Sequence, residues 1–138
     1  MGCGSGILSV AALLLGARDV TCVDIDENCI TTTRENLQRN GFSADRARTF
    51  CGNAVYDASL ADQIAAVSYD MIAANIVADV IIAMRPLFLR CLKPGGTLLT
   101  SGIIGPRADE VGQQLQDAGF TIQDRFEKND WVLYRVTL

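Results

Sequence analysis

Three glycines on alternate positions, Gly2, Gly4 and Gly6, run directly into an apolar segment, ILSVAALLL. Eighteen residues beyond Gly6, the run VTCVD closes on Asp24. A glycine loop, then a helix, then a strand ending in a carboxylate constrains the fold more than any other feature of the chain. In an open α/β sheet the ligand lies beyond the carboxyl ends of the strands, where the first loop meets a helix N-terminus. Glycines there let the backbone come close, since a Cβ would intrude. The dinucleotide fingerprint G-x-G-x-x-G fails, because its third position, counted from Gly2, is Ile7. G-x-G-x-G suits a nucleoside without a pyrophosphate.

Along the chain, apolar segments of two periods alternate. Residues 7–15 are apolar almost all round and predict a buried helix stopped by Gly16. Residues 20–23 predict a strand, Asp26 or Glu27 starts a second helix reaching Asn40, and Gly41 stops it. A short strand is expected over 48–51, a helix over 60–66 and a buried strand over 69–74. Helical spacing over 78–91 includes Pro86, which should kink or divide the helix. Lys93-Pro94-Gly95-Gly96 reads as a turn, 97–101 as a strand, and 108–118 as a helix ended by Gly119. Residues 120–126 and 131–137 form a closing antiparallel hairpin. Strands alternating with helices mean an α/β fold with a mainly parallel, doubly wound sheet, and 138 residues without repeat or linker fit one domain.

Several chemistries are excluded. The chain has no histidine, and its five cysteines (Cys3, Cys22, Cys29, Cys51, Cys91) include no CxxC pair. Zinc sites of the usual Cys/His kind, a Ser-His-Asp triad and imidazole acid–base catalysis therefore fall away, and no metal is expected. The cysteines read as small buried hydrophobes in a reducing, cytoplasmic setting. Twelve basic against sixteen acidic residues give a net charge of −4, against a surface that tracks phosphates, so no direct nucleic-acid partner is expected. The 7–15 run is too short to span a bilayer, so neither is a membrane.

Asp24, at a strand end, can accept both hydrogen bonds of a ribose diol, and this pairing with the loop separates a nucleoside site from a tight turn with helix packing. Asp26 reads as a helix cap. Asn53, after Gly52, offers an amide to an adenine edge or serves a turn. Asn75 follows the buried MIAA strand, where a polar side chain costs desolvation unless a ligand or the backbone satisfies it.

Assembled, these residues resemble the class I S-adenosylmethionine-dependent methyltransferases, whose fold is Rossmann-like, and more narrowly the bacterial family that methylates ribosomal protein L11. GCGSGILS, VDID at Asp24 and Asp26, TRENLQRNG from Thr33, GN at Gly52-Asn53, ANIVADV from Ala74 and LKPGGTLLTSGI from Leu92 carry the resemblance, which covers all 138 residues. It implies S-adenosyl-L-methionine as cofactor, with Gly2, Cys3, Gly4 and Gly6 beside its methionine part. Asp24 would hold the ribose, Ile25 would lie against the adenine with Asn53 beside it, and Asn75 with the Ile76 backbone would face the methyl group and incoming amine. The implied substrates are protein amino groups, lysine side chains and the N-terminal amine of ribosomal protein L11.

Methyl transfer from a sulfonium needs positioning and desolvation rather than a nucleophilic side chain. A lysine amine of pKa near 10.4 must first lose a proton, at about 4.6 kcal/mol at pH 7, whereas an α-amine near 7.8 costs about 1 kcal/mol. Without histidine, water or a carboxylate takes that proton, and Asn75 orients the neutral amine through its side-chain carbonyl. The family pattern places a strand and a substrate-recognition domain ahead of the glycine loop. The sequence reading is therefore of an N-terminally truncated methyltransferase domain whose first, central strand is missing, with open edges on its neighbours and weak activity by itself. A methyltransferase of another small-molecule, protein or nucleic-acid substrate, and a non-catalytic cofactor-binding remnant, stay open as alternatives.

Overall fold

The computed structural model describes residues 1–138, which divide into two compact units, Met1–Leu60 and Ala61–Leu138. In the first, β1 (Val20–Asp24) and β2 (Ala47–Cys51) pair in parallel, Val20 opposite Ala47 and Asp24 opposite Cys51. Helices α1 (Ile7–Leu14) and α2 (Glu27–Arg39) pack on this pair and on each other. Val10, Leu13 and Leu37 make the core, with Ala17, Val20, Phe42 and Ala47 against it. Asp26 caps α2 as expected, its carboxylate accepting the Asn28 N–H at 2.8 Å. The helix ends as the sequence predicts, too. Gly41 adopts φ 81° and donates to the Gln38 carbonyl, while the Phe42 N–H reaches back to that of Leu37, a Schellman closure open to a residue without Cβ.

The reading of α1 as a buried helix needs correction. Only Val10 and Leu13 are buried, while Ile7 is 67% and Leu15, just past its end, 88% exposed. Within this unit α1 packs mainly on β1 and α2, too little surface for an apolar residue at nearly every position. The cysteines also differ from expectation. Cys22 and Cys91 are buried, but Cys3 and Cys29 are half-buried and Cys51, on β2 with β1 as its sole paired neighbour, is exposed.

Helix α3 (Ala58–Ala65) spans the division between the units. In the second unit β3 (Tyr69–Asn75), β4 (Leu92–Ile104), β5 (Thr121–Lys128) and β6 (Trp131–Thr137) form a sheet in the order β3-β4-β6-β5. β3 and β4 are parallel, and β6 runs antiparallel to both β4 and β5. Helices α4 (Ala78–Cys91) and α5 (Gly105–Asp117) pack on it, and Ile72, Leu98, Ile81, Phe88, Val111 and Leu115 are buried. β1 and β3 each pair along one edge only. β3 is not buried on both faces as expected: Ile72 and Ala74 are inside, whereas Met71 and Asn75 are exposed, the period-two pattern of a half-covered strand.

Pro86 neither divides nor ends α4, which runs continuously from Ala78 to Cys91. The carbonyl its missing N–H leaves unpaired, that of Ile82, instead accepts the Arg85 Nε at 2.7 Å. The same guanidinium donates to the Gln114 carbonyl of α5 at 2.7 Å and so ties the two helices. The Lys93–Gly96 turn is a bulge inside β4: Leu92 pairs with Tyr69 and Thr97 with Met71, leaving the four residues between to loop out. α5 starts earlier than predicted, because Pro106 in its first turn is a helix-opening residue. The hairpin closes through Asn129 (φ 51°) and Asp130 (φ 63°), a left-handed pair whose twist matches the flanking strands.

Burial pushes the Cys91 thiol up to about 11. An unfolded thiol ionises near 8.5, so from about pH 8.5 to 11 the unfolded chain holds fewer protons and stability falls as pH rises. Urea midpoints between pH 8 and 11 should therefore fall less steeply in Cys91→Ala than in the unsubstituted protein. Equal slopes would show that the thiol ionises alike in both states.

Candidate functional site

In the first unit the glycine loop is anchored on the carboxyl end of β1. The Cys3 N–H donates to the Val23 carbonyl at 3.0 Å, and the Gly4 N–H to Asp24 Oδ2 at 2.8 Å. Asp24 Oδ1 accepts the Asp26 N–H at 3.1 Å, and the Asp24 carbonyl takes the N–H of Gly52, at the end of β2, at 2.8 Å. Two of the carboxylate's roughly four acceptor directions are thus taken by backbone donors, and the Cys29 thiol stands against the same carboxylate. A Cβ built on Gly4 (φ 53°) would meet nothing within 4 Å, so its backbone borders open space beside that carboxylate. Gly2 (φ 66°) precedes it in the same loop, and Ile25, 73% exposed, follows Asp24 as an apolar surface without a protein neighbour to cover it.

The remaining predicted residues divide. Gly6 is buried, and a Cβ on it would lie 2.9 Å from Thr33 Cγ2 and Oγ1, so the lack of a side chain there admits Thr33 of α2. Asn53 serves a turn: its Oδ1 accepts the Val55 N–H at 3.0 Å, which leaves the NH₂ group and one acceptor direction of the amide to offer. The thiols near Asp24 stay protonated. Burial raises Cys3 and Cys29, and a hydrogen bond with Glu27 raises Cys51, so no thiolate nucleophile is available at neutral pH.

Asn75 belongs to the second unit, at the carboxyl end of β3 and opposite Ser101. Its side chain is exposed, so desolvation does not argue for a bound partner as the sequence reading supposed. The backbone around it is fixed: the Ile76 N–H, just beyond Asn75, donates to the Ser101 carbonyl at 3.1 Å. Gly102 (φ 81°) follows in a bulge of β4, and a Cβ on it would come within 2.9 Å of Asn75 Oδ1 and 2.8 Å of the Ile76 carbonyl oxygen. Gly102 also lines a groove of about 150 Å³ walled by Val77, Ile104 and Trp131, at whose rim Arg107 binds Asp79 at 2.7 Å.

Three residues were missed in the sequence. Thr33 is fully buried and donates to the Gly4 carbonyl at 3.1 Å, and Asn36 Nδ2 donates to the Ser5 carbonyl at 2.8 Å. Thr33 carried a signal, since it interrupts the apolar stripe Ile30, Thr33, Leu37 of α2 and a buried hydroxyl there demands a partner. Asn36 and Gly102 lie in the TRENLQRNG and LKPGGTLLTSGI stretches that carry the resemblance, but nothing in either stretch marks the contact it makes.

The fold agrees with comparisons to known proteins. A family model described as ribosomal protein L11 methyltransferase (PrmA) matches residues 1–137. Proteins named ribosomal protein L11 methyltransferase from Agathobacter rectalis and Desulforamulus reducens are 40% and 42% identical to this chain, over 96% and 97% of it. The chain spans 41% of the length of each of these two relatives. The crystal structure of a ribosomal protein L11 methylase from Lactobacillus delbrueckii subsp. bulgaricus superposes with a TM-score of 0.86 at 28% identity, covering 99% of this chain and 66% of that one.

Proposed function

This chain belongs to the ribosomal protein L11 methyltransferase family, and on that premise we propose that residues 1–138 form an S-adenosylmethionine-binding domain that methylates amino groups of ribosomal protein L11. The observation that carries the reading is the glycine loop tied to a strand-end carboxylate, Gly4 N–H to Asp24 Oδ2 at 2.8 Å, with open space over Gly4. That arrangement fits a nucleoside bearing a short polar tail. The acceptor capacity that Asp24 keeps beyond its two backbone donors suits ribose hydroxyls, Ile25 offers an apolar face for the base, and the Gly4 backbone admits close approach.

The bound cofactor would supply an electrophilic methyl on a good leaving group. What remains for the chain is to bind, orient and keep water out. Asn75, whose amide is not engaged by the protein, would accept a hydrogen bond from the incoming neutral amine, and Ile76 would set the backbone beside it. No histidine and no thiolate stands ready to remove the amine's proton. The amine must arrive neutral, so log kcat/KM for a lysine substrate should climb with a slope of about one from pH 7 to 9. A plateau near pH 7 would reveal a protein base that this reading lacks.

Calorimetry with S-adenosylmethionine, its demethylated product and NAD, followed by transfer of labelled methyl groups to ribosomal protein L11, tests the proposal. Binding of the first two in preference to NAD, with label in the ribosomal protein, is the expected result. Equal or tighter binding of NAD would overturn it.

A further inference from the structure

We infer that Thr33 and Asn36, one turn apart on α2, hold the glycine loop in its ligand-binding form by taking up its backbone carbonyls. The inference rests on the reading of that loop as the cofactor site. Every carbonyl from Cys3 to Gly6 is occupied inside the protein. The Cys3 carbonyl accepts the Gly6 N–H at 2.8 Å, and that of Gly6 accepts the Val10 N–H at 2.9 Å as the first bond of α1. The two between them have no backbone partner. Gly4 O is reached by the Thr33 hydroxyl at 3.1 Å, with Cys3 Sγ of the same loop as that hydroxyl's other, longer contact at 3.4 Å, and Ser5 O is held by Asn36 Nδ2 at 2.8 Å.

Residues three apart on a helix share a face, so one face of α2 reaches two successive peptide units. A trans peptide is planar, with its C=O and the following N–H pointing in opposite directions. Drawing the Gly4 carbonyl towards α2 therefore turns the Ser5 N–H away from it. A polar, electron-rich ligand meets a donor at that peptide rather than an acceptor that would repel it. The hydroxyl can reach the carbonyl because Gly6 lacks a Cβ: Thr33 fills that space, with 2.9 Å from its Cγ2 and Oγ1 to where one would stand. The third glycine of the motif thus makes room for the helix residue that orients the peptide before it.

The experiment is calorimetry of S-adenosylmethionine with the whole protein as its gene encodes it, unsubstituted and as Thr33→Val, Thr33→Ser and Asn36→Ala, with the saturated rate measured alongside. Valine keeps the shape of threonine and loses the donor, whereas serine keeps the donor. Thr33→Val is expected to weaken binding about five- to twentyfold and Asn36→Ala about three- to tenfold, with Thr33→Ser within about twofold of the unsubstituted protein. The rate at saturating cofactor should stay within about twofold throughout, because the loop's orientation acts on binding. Circular dichroism checks that each variant is folded, and Asn36→Ala, on a half-buried residue, covers the case in which a buried change at Thr33 perturbs folding. Tight binding by Thr33→Val, or a loss in Thr33→Ser as large as in Thr33→Val, overturns the inference alone. An unsubstituted protein that binds no cofactor overturns the reading of the loop, and this inference with it.

Discussion

Replacing Asn75 with alanine is expected to lower the methyl-transfer rate about 10²- to 10³-fold, the effect of removing one well-placed polar contact to a reacting group, while cofactor affinity changes less than about threefold. The split follows from where the side chain stands. Asn75 ends β3, its amide is exposed, and no protein group engages it, so its removal costs the fold little. A contact made to the amine only as it attacks lowers the rate and leaves cofactor binding alone. Gly102→Ala should reproduce part of the loss, since its methyl would press on Asn75 Oδ1 and the Ile76 carbonyl at under 3 Å. The two changes should then be less than additive: once Asn75 is alanine, the amide that the new methyl displaces is gone. Full additivity would mean that Gly102 acts on the backbone alone. A fall in cofactor affinity without a fall in the saturated rate would make Asn75 part of the cofactor site.

Much of the fold was legible in the sequence because it depends on local chemistry. Gly16, Gly41 and Gly119 each stop a helix with the same pair of backward hydrogen bonds, and the Asn129-Asp130 turn follows from residues that tolerate positive φ. What was misread depends on partners distant in sequence. Pro86 predicts a broken helix until Arg85 is seen to supply the donor that proline lacks. The apolar run over 7–15 predicts burial almost all round, but a helix buries only what its neighbours cover, and in its own unit those are mainly one helix and one strand. The site shows the same division. Gly4 and Asp24 were recoverable from spacing along the chain. The support of the loop by Thr33 and Asn36 joins residues about thirty apart through hydrogen bonds to carbonyls, which every residue has and no motif marks.

Asp24→Ala should cost about 1–3 kcal/mol of cofactor binding through lost charge-assisted bonds to the ribose, and it should also destabilise the first unit. The carboxylate accepts the Gly4 N–H on one oxygen and the Asp26 N–H on the other, so alanine strands two backbone donors at once. One of them anchors the glycine loop, and the other lies at the start of α2. Asp24→Asn separates the two roles. An asparagine presents one acceptor oxygen and one NH₂ group, so of the two backbone donors only one can be satisfied and the other meets a second donor. It should therefore unfold at lower urea than the unsubstituted protein and bind cofactor nearly as poorly as Asp24→Ala, even though it is almost the same size. Asp24→Glu keeps both oxygens but moves them outward by a methylene, and should recover charge without recovering the Gly4 contact. If Asp24→Asn matched the unsubstituted protein in both measurements, the carboxylate would be neither the anchor of the loop nor the acceptor for the ribose. The proposal of a nucleoside cofactor beside Gly4 would then lose the observation that carries it.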